Sequence, residues 1–208
     1  MGFVACKKDY LSGGTILNPN VNLTTYDYLK TNPIFDTLVL LIDKAGLKDE
    51  INGDITFFAP TDYAIQSLIN IRTLEIQIKY NDENITYTID SFPVNELRDS
   101  LRSYLFDNKI TRNDVYLNAD KLYKNNINDQ FSVLLREGEP IPPTTTKPQY
   151  MHIVKVIKGL DEKDADGYPV DGIPDEKKDR DELIQTSGII TTTGVLHVIN
   201  NYHIFYWR

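Results

Sequence analysis

Four aspartates between residues 164 and 175 form the acidic cluster in this sequence that most suggests chemistry. Gly167 and Gly172 can bend the backbone between them, and hard oxygen donors on a bent backbone are what calcium selects. One interpretation is therefore a calcium site. The other is a solvated acidic loop, in which each carboxylate is hydrated separately and no ion binds. The candidate ligands are Asp164, Asp166, Asp171 and Asp175.

The acidic segment resembles the Asp- and Gly-rich calcium repeats of thrombospondin-type proteins, but it departs from an EF-hand loop. Counting from Asp164, Tyr168 occupies the fifth position and Asp175 the twelfth, where glutamate is usual. A single copy also lacks the neighbouring repeats that share ligands. Both interpretations therefore stay open, and no cofactor other than calcium is predicted.

Nothing in the sequence supports catalysis. The histidines His152, His197 and His203 fall in segments of β-type composition, and none accompanies a nucleophilic Ser or Cys in a recognisable local signature. Carboxylate pairs such as Asp161 and Glu162 could serve acid–base chemistry only in a cleft, which a sequence does not define. The chain is therefore predicted not to be an enzyme.

The chain ends in an aromatic run, YHIFYW at residues 202–207. Aromatic faces stack on sugars and anchor protein partners, so an exposed edge carrying Tyr206 and Trp207 would be a binding site. Alternatively, the run is a terminal strand whose side chains alternate into the core. On a regular strand, Phe205 and Tyr206 could not both face inward.

Cys6 is the single cysteine, so it cannot form an internal disulfide. The run Phe-Val-Ala-Cys resembles the end of a bacterial lipoprotein signal, in which small residues precede a cysteine that becomes lipidated. We therefore expect a lipid anchor on Cys6, a membrane partner and a tether over residues 1–22. The alternative is an incidental cysteine in a disordered tail.

Length and composition fit one domain over residues 23–208, because a typical domain has about 100–150 residues and 41% of this chain is apolar. The formal net charge of −8 argues against nucleic acid as a partner, since nonspecific binding requires a basic face. No run of about 18 apolar residues is present, so no transmembrane helix is predicted.

Two short blocks predict the elements that organise the fold. ITFFAPTDYAIQSL, starting at Ile55, predicts a buried strand to Ala59, a corner at Pro60 and a helix from Tyr63 to Ile69. Thr61 or Asp62 is expected to cap that helix.

GVLHVI, starting at Gly194, predicts a turn followed by a β-branched strand. His197 is the one polar residue in that strand, and the favoured interpretation is a hydrogen-bonded structural histidine.

Together the two blocks are similar to the opening and closing signatures of the fasciclin domain, an extracellular adhesion module. The resemblance continues through two apolar helices that end near Gly46 and through residues 97–110, where many members carry a Tyr-His pair. Here Tyr104 is kept but Leu105 follows it, which puts integrin-type adhesion in doubt. Tyr104 is a further candidate binding residue.

The resemblance implies an α+β fold, a β-sandwich or wedge with N-terminal helices packed on it. This chain is longer than the family pattern. Residues 71–91 contain two alternating runs and predict an added β-hairpin, and residues 112–188 hold the long acidic loop. Both insertions are expected at the surface.

The predicted function is a non-catalytic adhesion or binding module of the cell envelope, recognising carbohydrate or protein at the cell surface. An outer-membrane lipoprotein facing the surface or periplasm is the expected location. The alternative is a structural accessory subunit of a surface polysaccharide-uptake or fimbrial assembly. An exposed aromatic cleft would favour glycan binding, and a broad apolar patch would favour assembly.

Overall fold

The structure is a computed structural model that describes residues 18–140, 142–143, 145–164 and 167–207. The helices are α1 (Thr25–Lys30), α2 (Asp36–Ala45), α3 (Lys48–Ile51), α4 (Asp62–Tyr80) and α5 (Val94–Arg102), with short 3₁₀ helices at Pro33–Phe35, Ile89–Ser91 and Arg112–Asp114. The strands are β1 (Thr56–Ala59), β2 (Leu105–Phe106), β3 (Lys121–Lys124), β4 (Gln130–Glu137), β5 (Gln149–Lys155), β6 (Arg180–Ile190) and β7 (Val195–Ile199).

The seven strands form one sheet in the order β2-β1-β7-β6-β5-β4-β3. β1 and β7 run parallel, and every other neighbouring pair is antiparallel. Residues of the helices and of the strands share one hydrophobic core. The predicted α+β class is confirmed.

The two sequence blocks meet at the parallel pair, where every residue of β1 and β7 is buried. Gly194 lets the strands approach, because a Cβ atom at this position would lie 2.3 Å from the Ile55 carbonyl oxygen. The same carbonyl accepts a 2.9 Å hydrogen bond from the Val195 N–H. Both strands of the prediction are therefore confirmed as members of one sheet.

The two apolar N-terminal helices are also confirmed. α2 ends at Gly46, which adopts the left-handed conformation with φ 67°. Glycine tolerates this backbone without steric penalty. The buried side chains of α2 are Leu38, Leu41, Ile42 and Ala45.

The predicted cap of α4 is wrong. Thr61 occupies the N-cap position without a side-chain capping bond, and its hydroxyl donates to Asn201 Oδ1 at 3.0 Å. The Asp62 carboxylate instead accepts from the backbone N–H groups of Thr37 and Leu38, at 2.9 and 3.1 Å. Asp62 therefore caps the start of α2, a helix distant in sequence.

The predicted hairpin at residues 71–91 is wrong, because α4 continues to Tyr80 and Asn81 ends it in the left-handed conformation. Leu, Glu, Gln and Lys in this segment favour helix, no Pro or Gly interrupts it, and extending an existing helix is easier than starting a strand. The Gln77 amide then holds the following loop by donating to the carbonyls of Glu83 and Ile85.

The terminal aromatic run is a series of turns and not a strand. Tyr206 and Trp207 have positive φ angles of 76° and 56°, which a regular strand does not contain. Phe205 and Trp207 both reach the core and Tyr206 between them is half-buried, so inward and outward positions still alternate in these turns.

Candidate functional site

A groove of about 550 Å³ lies between the acidic segment and the start of β6. Tyr168 and Pro169 form one side of the groove and residues 178–182 form the other. Asp175 also lines it. We call this feature the Tyr168 groove. It combines an aromatic side chain with charged groups of both signs, which is the composition of a site that orients a polar ligand.

Hydrogen bonds between Asp161 and Asp179 join the two ends of the acidic segment. Asp179, which is buried, accepts at one carboxylate oxygen from the Asp161 N–H at 3.0 Å, and its own N–H donates to the Asp161 carboxylate at 2.9 Å. The second Asp179 oxygen accepts from the Ile157 N–H at 2.9 Å. These reciprocal bonds place the groove wall at residues 178–182 next to the acidic segment.

A buried ionic cluster lies behind Tyr168. Arg136 on β4 is 2% exposed and pairs through Nη1 with Asp181. Its guanidinium carbon lies 5.0 Å from the centre of the Tyr168 ring. Burial lowers the pKa of Arg136. Arg136 Nε and Nη2 have no hydrogen-bond partner among the residues that the structure describes.

His152 shares the Asp181 carboxylate, with its Nδ1 2.8 Å from Oδ1. Burial and then the charge of Arg136 lower the pKa of His152 to about 4. The neutral imidazole therefore donates its Nδ1 proton to Asp181, and the contact is a hydrogen bond, although its distance would also fit an ion pair. Asp181 thereby has two partners inside the protein.

A second ion pair, which is half-buried, fastens the acidic segment to the sheet. Lys163 bonds both oxygens of Asp120, and the Ser132 hydroxyl on β4 donates to Oδ1 at 2.5 Å. Burial alone would raise the pKa of Asp120, but the bonds from Lys163 and Ser132 outweigh it and lower that pKa. The segment is thus held over the face of β4 that carries Ser132 and Arg136.

The four predicted calcium ligands do not share one environment. One Asp164 oxygen accepts from the Tyr168 N–H at 3.0 Å, while Asp171 and Asp175 are exposed. Asp166 lies outside the described residues. Within the described ranges, no group of three His, Cys, Asp or Glu side chains could hold a metal ion. Calcium binding, which also needs Asp166, stays a prediction.

The predicted aromatic binding residues lie in or at the core. Tyr104 is fully buried between Phe205 and Trp207, with ring centroids 5.7 and 5.2 Å away. Its hydroxyl lies 2.7 Å from His203 Nε2 and accepts from the Tyr206 N–H at 3.1 Å. Tyr104 and Trp207 are therefore packing residues and do not form an exposed binding edge.

His197 is a structural histidine in this structure. It is fully buried and stacks on Phe58, with ring centroids 4.8 Å apart. Nδ1 accepts from the Gly188 N–H at 3.1 Å, so Nε2 carries the proton and donates to the Ile110 carbonyl at 2.8 Å. Both ring nitrogens are occupied, which leaves neither for a ligand.

Cys6, the predicted lipidation site, lies outside the described residues. In the ranges that the structure covers, no helix is long and apolar enough to cross a membrane.

Sequence reasoning missed Arg136 and the role of Tyr168. The sequence does contain one signal for this site, which is the spacing of Ser132 and Arg136 in an otherwise apolar strand. Residues four apart on a strand lie on the same face of the sheet. That spacing predicts a polar outer face, but it does not reveal that the acidic segment covers the face.

A second surface feature is an apolar stripe on α4. Leu74 and Ile78 lie one turn apart and are 59% and 81% exposed. We call it the α4 stripe.

The fasciclin domain model matches residues 33–141, more than half of the chain, and the chain therefore belongs to the fasciclin domain family. Fasciclin domains are adhesion-associated modules of the cell surface, so membership supports a non-catalytic binding role toward surface partners.

Among solved structures, the chain is similar to a FAS1 domain pair from the insect cell adhesion molecule fasciclin I, with 13% identity and a TM-score of 0.49. The similarity covers 85% of this chain and 49% of the domain pair, so the chain spans about half of that protein's length. No curated protein matches the chain.

Proposed function

We propose that this fasciclin domain is a non-catalytic module that binds carbohydrate at the cell surface, and that the Tyr168 groove is its binding site. The observation that carries the proposal is Tyr168 itself. Its ring rests on Arg136 yet the residue remains 43% exposed at the edge of a groove. A sugar can stack on such a ring while the flanking charged groups bond its hydroxyls.

The test is a glycan array with the full chain, followed by calorimetry on the glycans retained. We expect Tyr168→Ala to weaken binding about tenfold or more, a loss of at least ~1.4 kcal/mol. Tyr80→Ala is the matched control, because Tyr80 is an exposed tyrosine at the end of α4 and outside the groove. Equal binding by wild type and Tyr168→Ala would exclude the groove, and a blank array would exclude the function.

Attachment to the envelope through a lipid on Cys6 is part of the proposal. Expressed from its complete gene, the protein should incorporate labelled fatty acid and enter the detergent phase, whereas Cys6→Ser should stay in the aqueous phase. Stable anchoring requires two membrane signals, which lipoprotein processing supplies through more than one acyl chain. Equal partitioning of the two forms would refute the anchor.

A second candidate function is a structural accessory subunit of a surface polysaccharide-uptake or fimbrial assembly, and the α4 stripe favours it. An exposed apolar stripe gains by burial against a partner subunit. This candidate requires that Ile78→Glu abolish co-purification of a stoichiometric partner from envelope extracts while Tyr168→Ala leaves it unchanged. The opposite pattern would favour glycan binding.

A further inference from the structure

A second depression, of about 220 Å³, shares Tyr168 with the Tyr168 groove. We call it the Asn118 pocket, and its other lining residues are Asn118, residues 137–139 and Lys147. It is smaller than the ~300 Å³ at which ligand pockets usually begin, so it suits one end of a ligand better than a whole ligand. A ligand that fills both features must contact Tyr168, the residue they have in common.

Bonds inside the protein hold the junction between the two features. The Tyr168 hydroxyl donates a long 3.4 Å bond to the carbonyl of Glu137, which lines the Asn118 pocket. The Asn118 N–H donates to the Leu135 carbonyl at 2.8 Å. Gly167 lets the two walls meet, because a Cβ atom there would lie 2.9 Å from Asn118 Oδ1. The site is therefore formed before a ligand arrives, which lowers the ordering cost of binding.

Charges of both signs are interspersed through the lining. Six carboxylates and three cations line the two features, and the carboxylates remain in excess when the buried Arg136 is counted as a fourth cation. An acidic ligand is therefore repelled. A cationic ligand meets Lys147 in the pocket and Lys178 and Arg180 in the groove. An uncharged sugar avoids both penalties, because a hydroxyl can donate to a carboxylate and accept from a cation.

Each feature holds one carboxylate that is open to a ligand. Glu139 in the Asn118 pocket and Asp175 in the Tyr168 groove are exposed, and neither has a side-chain partner among the residues that the structure describes. Glu137, in contrast, pairs with Lys147 at 3.5 Å. A carboxylate offers two acceptor oxygens, which match two neighbouring hydroxyls of a sugar ring, and bonds to a charged acceptor are the stronger ones.

We propose that the ligand is an uncharged oligosaccharide of at least three units that spans both features. One sugar ring stacks on Tyr168, and hydroxyls of the units on either side donate to Glu139 and to Asp175. The inference rests on the proposed carbohydrate function and names the class of glycan, its minimum length and a second half of the site. Each end alone makes few contacts, so affinity comes from engaging both ends together.

The first experiment varies chain length. Cellotetraose, mannotetraose and tetra-N-acetylchitotetraose are titrated into the full chain by calorimetry, each beside its own monosaccharide. We expect at least one tetrasaccharide to bind about tenfold or more tightly than its monosaccharide, because only the longer chain reaches both carboxylates. A monosaccharide that binds as tightly as its tetrasaccharide would refute the spanning ligand.

The second experiment varies charge on a constant sugar. The free-amine form of chitotetraose is compared with its N-acetylated form, and tetragalacturonate with its methyl ester. The acid should bind more weakly than its ester, and the amine should bind no more than about threefold more tightly than the acetylated form. A larger preference for the amine would show that the excess of carboxylates selects a cation, and a preference for the acid would show the reverse. Either result would overturn the uncharged class.

Variants locate the two ends. Glu139→Gln and Asp175→Asn should each weaken tetrasaccharide binding about fivefold and leave monosaccharide binding unchanged, whereas Tyr168→Ala should weaken both. Glu162→Gln and Glu176→Gln are the matched controls. They remove the same charge at exposed positions outside both features and should bind as wild type does.

The outcomes separate this inference from the carbohydrate function. If Asp175→Asn acts and Glu139→Gln does not, the ligand is confined to the Tyr168 groove, so the spanning ligand is wrong and the function stands. If none of the three tetrasaccharides binds while the array retains other glycans, the inference is likewise wrong and the function stands. If the array is blank as well, both fail. Equal losses in the control and site variants would show a general effect of charge and would refute the two named contacts.

Discussion

Mild acid should destabilise this protein through His197. The ring is fully buried, and burial lowers its pKa from 6.5 to about 4, although the bond to the Ile110 carbonyl acts in the opposite direction. A second proton would have to be placed on Nδ1, which already accepts from the Gly188 N–H at 3.1 Å. Protonation therefore breaks a native bond and buries a charge.

The sign follows from the two pKa values. Between pH 6.5 and about 4 the unfolded chain binds a proton on His197 that the native protein does not, so stability is complete above the unfolded pKa and is lost as the pH falls toward the folded pKa. At a pH of about 5 the loss is about 2 kcal/mol, and it approaches about 3 kcal/mol at the folded pKa. His152, whose pKa is also lowered to about 4, should contribute a similar loss.

The assay is urea unfolding at neutral pH and at a pH near 5, with wild type, His197→Gln and His152→Gln. Each variant should lose about 2 kcal/mol less than wild type on acidification, whatever its stability at neutral pH. Carboxyl groups that titrate in the same range act on wild type and variants alike and cancel in this comparison.

His197 is the cleaner of the two tests, because its hydrogen-bond partners are backbone groups and include no carboxylate. At His152 the Asp181 carboxylate, 2.8 Å away, would support an imidazolium if Arg136 moved. An equal pH response in wild type and His197→Gln would show that the buried ring accepts a proton without penalty, and the reasoning from burial would then be wrong.

Four further outcomes are expected. Gly194→Ala places a Cβ atom 2.3 Å from the Ile55 carbonyl oxygen and should lower the free energy of unfolding by about 2–3 kcal/mol. A smaller loss in a urea titration would mean that β1 and β7 separate easily to make room. Asp62→Ala removes the cap of α2 and should cost about 1 kcal/mol in the same assay, and an unchanged midpoint would contradict the capping role. Tyr104→Phe leaves His203 Nε2 and the Tyr206 N–H without their hydrogen-bond partner. The free energy of unfolding should fall by about 1–3 kcal/mol and the melting temperature by several degrees, and no shift would show that water replaces the hydroxyl. If the four aspartates converge on calcium, calorimetry should show saturable binding that Asp166→Asn abolishes, whereas no heat at millimolar calcium would leave an ordinary acidic loop.

The elements that could be predicted from the sequence are those in which local pattern and burial agree. β1 and β7 are apolar on both faces, and α2 combines helical spacing with a glycine stop. Residues 74–80 show the opposite case. Apolar side chains alternate there as on a strand, but the helix that starts at Asp62 continues through them and leaves Leu74 and Ile78 exposed. Period-two spacing failed because residues of high helix propensity extend a helix that has already formed.

Long-range polar contacts were beyond prediction because their partners are distant in sequence. Asp62 looked like the cap of its own helix but bonds the N-terminus of α2. Tyr104 was singled out by resemblance for surface recognition, whereas its hydroxyl lies against His203, 99 residues away. The chemistry of each side chain was visible in the sequence, but the atoms it would meet were not.

The location of the groove separates what the family explains from what is particular to this chain. The fasciclin match ends at residue 141, so it includes Arg136 but neither Tyr168 nor residues 178–182. The strands β1 and β4 lie within the match and belong to the shared framework, and the groove is assembled where the acidic segment covers the polar face of β4. Asp120, Asp161 and Asp179 hold that segment in place through partly buried hydrogen bonds. The framework therefore accounts for the fold, whereas the choice of ligand is expected to depend on the acidic segment. A change of Tyr168, Lys178 or Arg180 should consequently alter binding without altering the sheet.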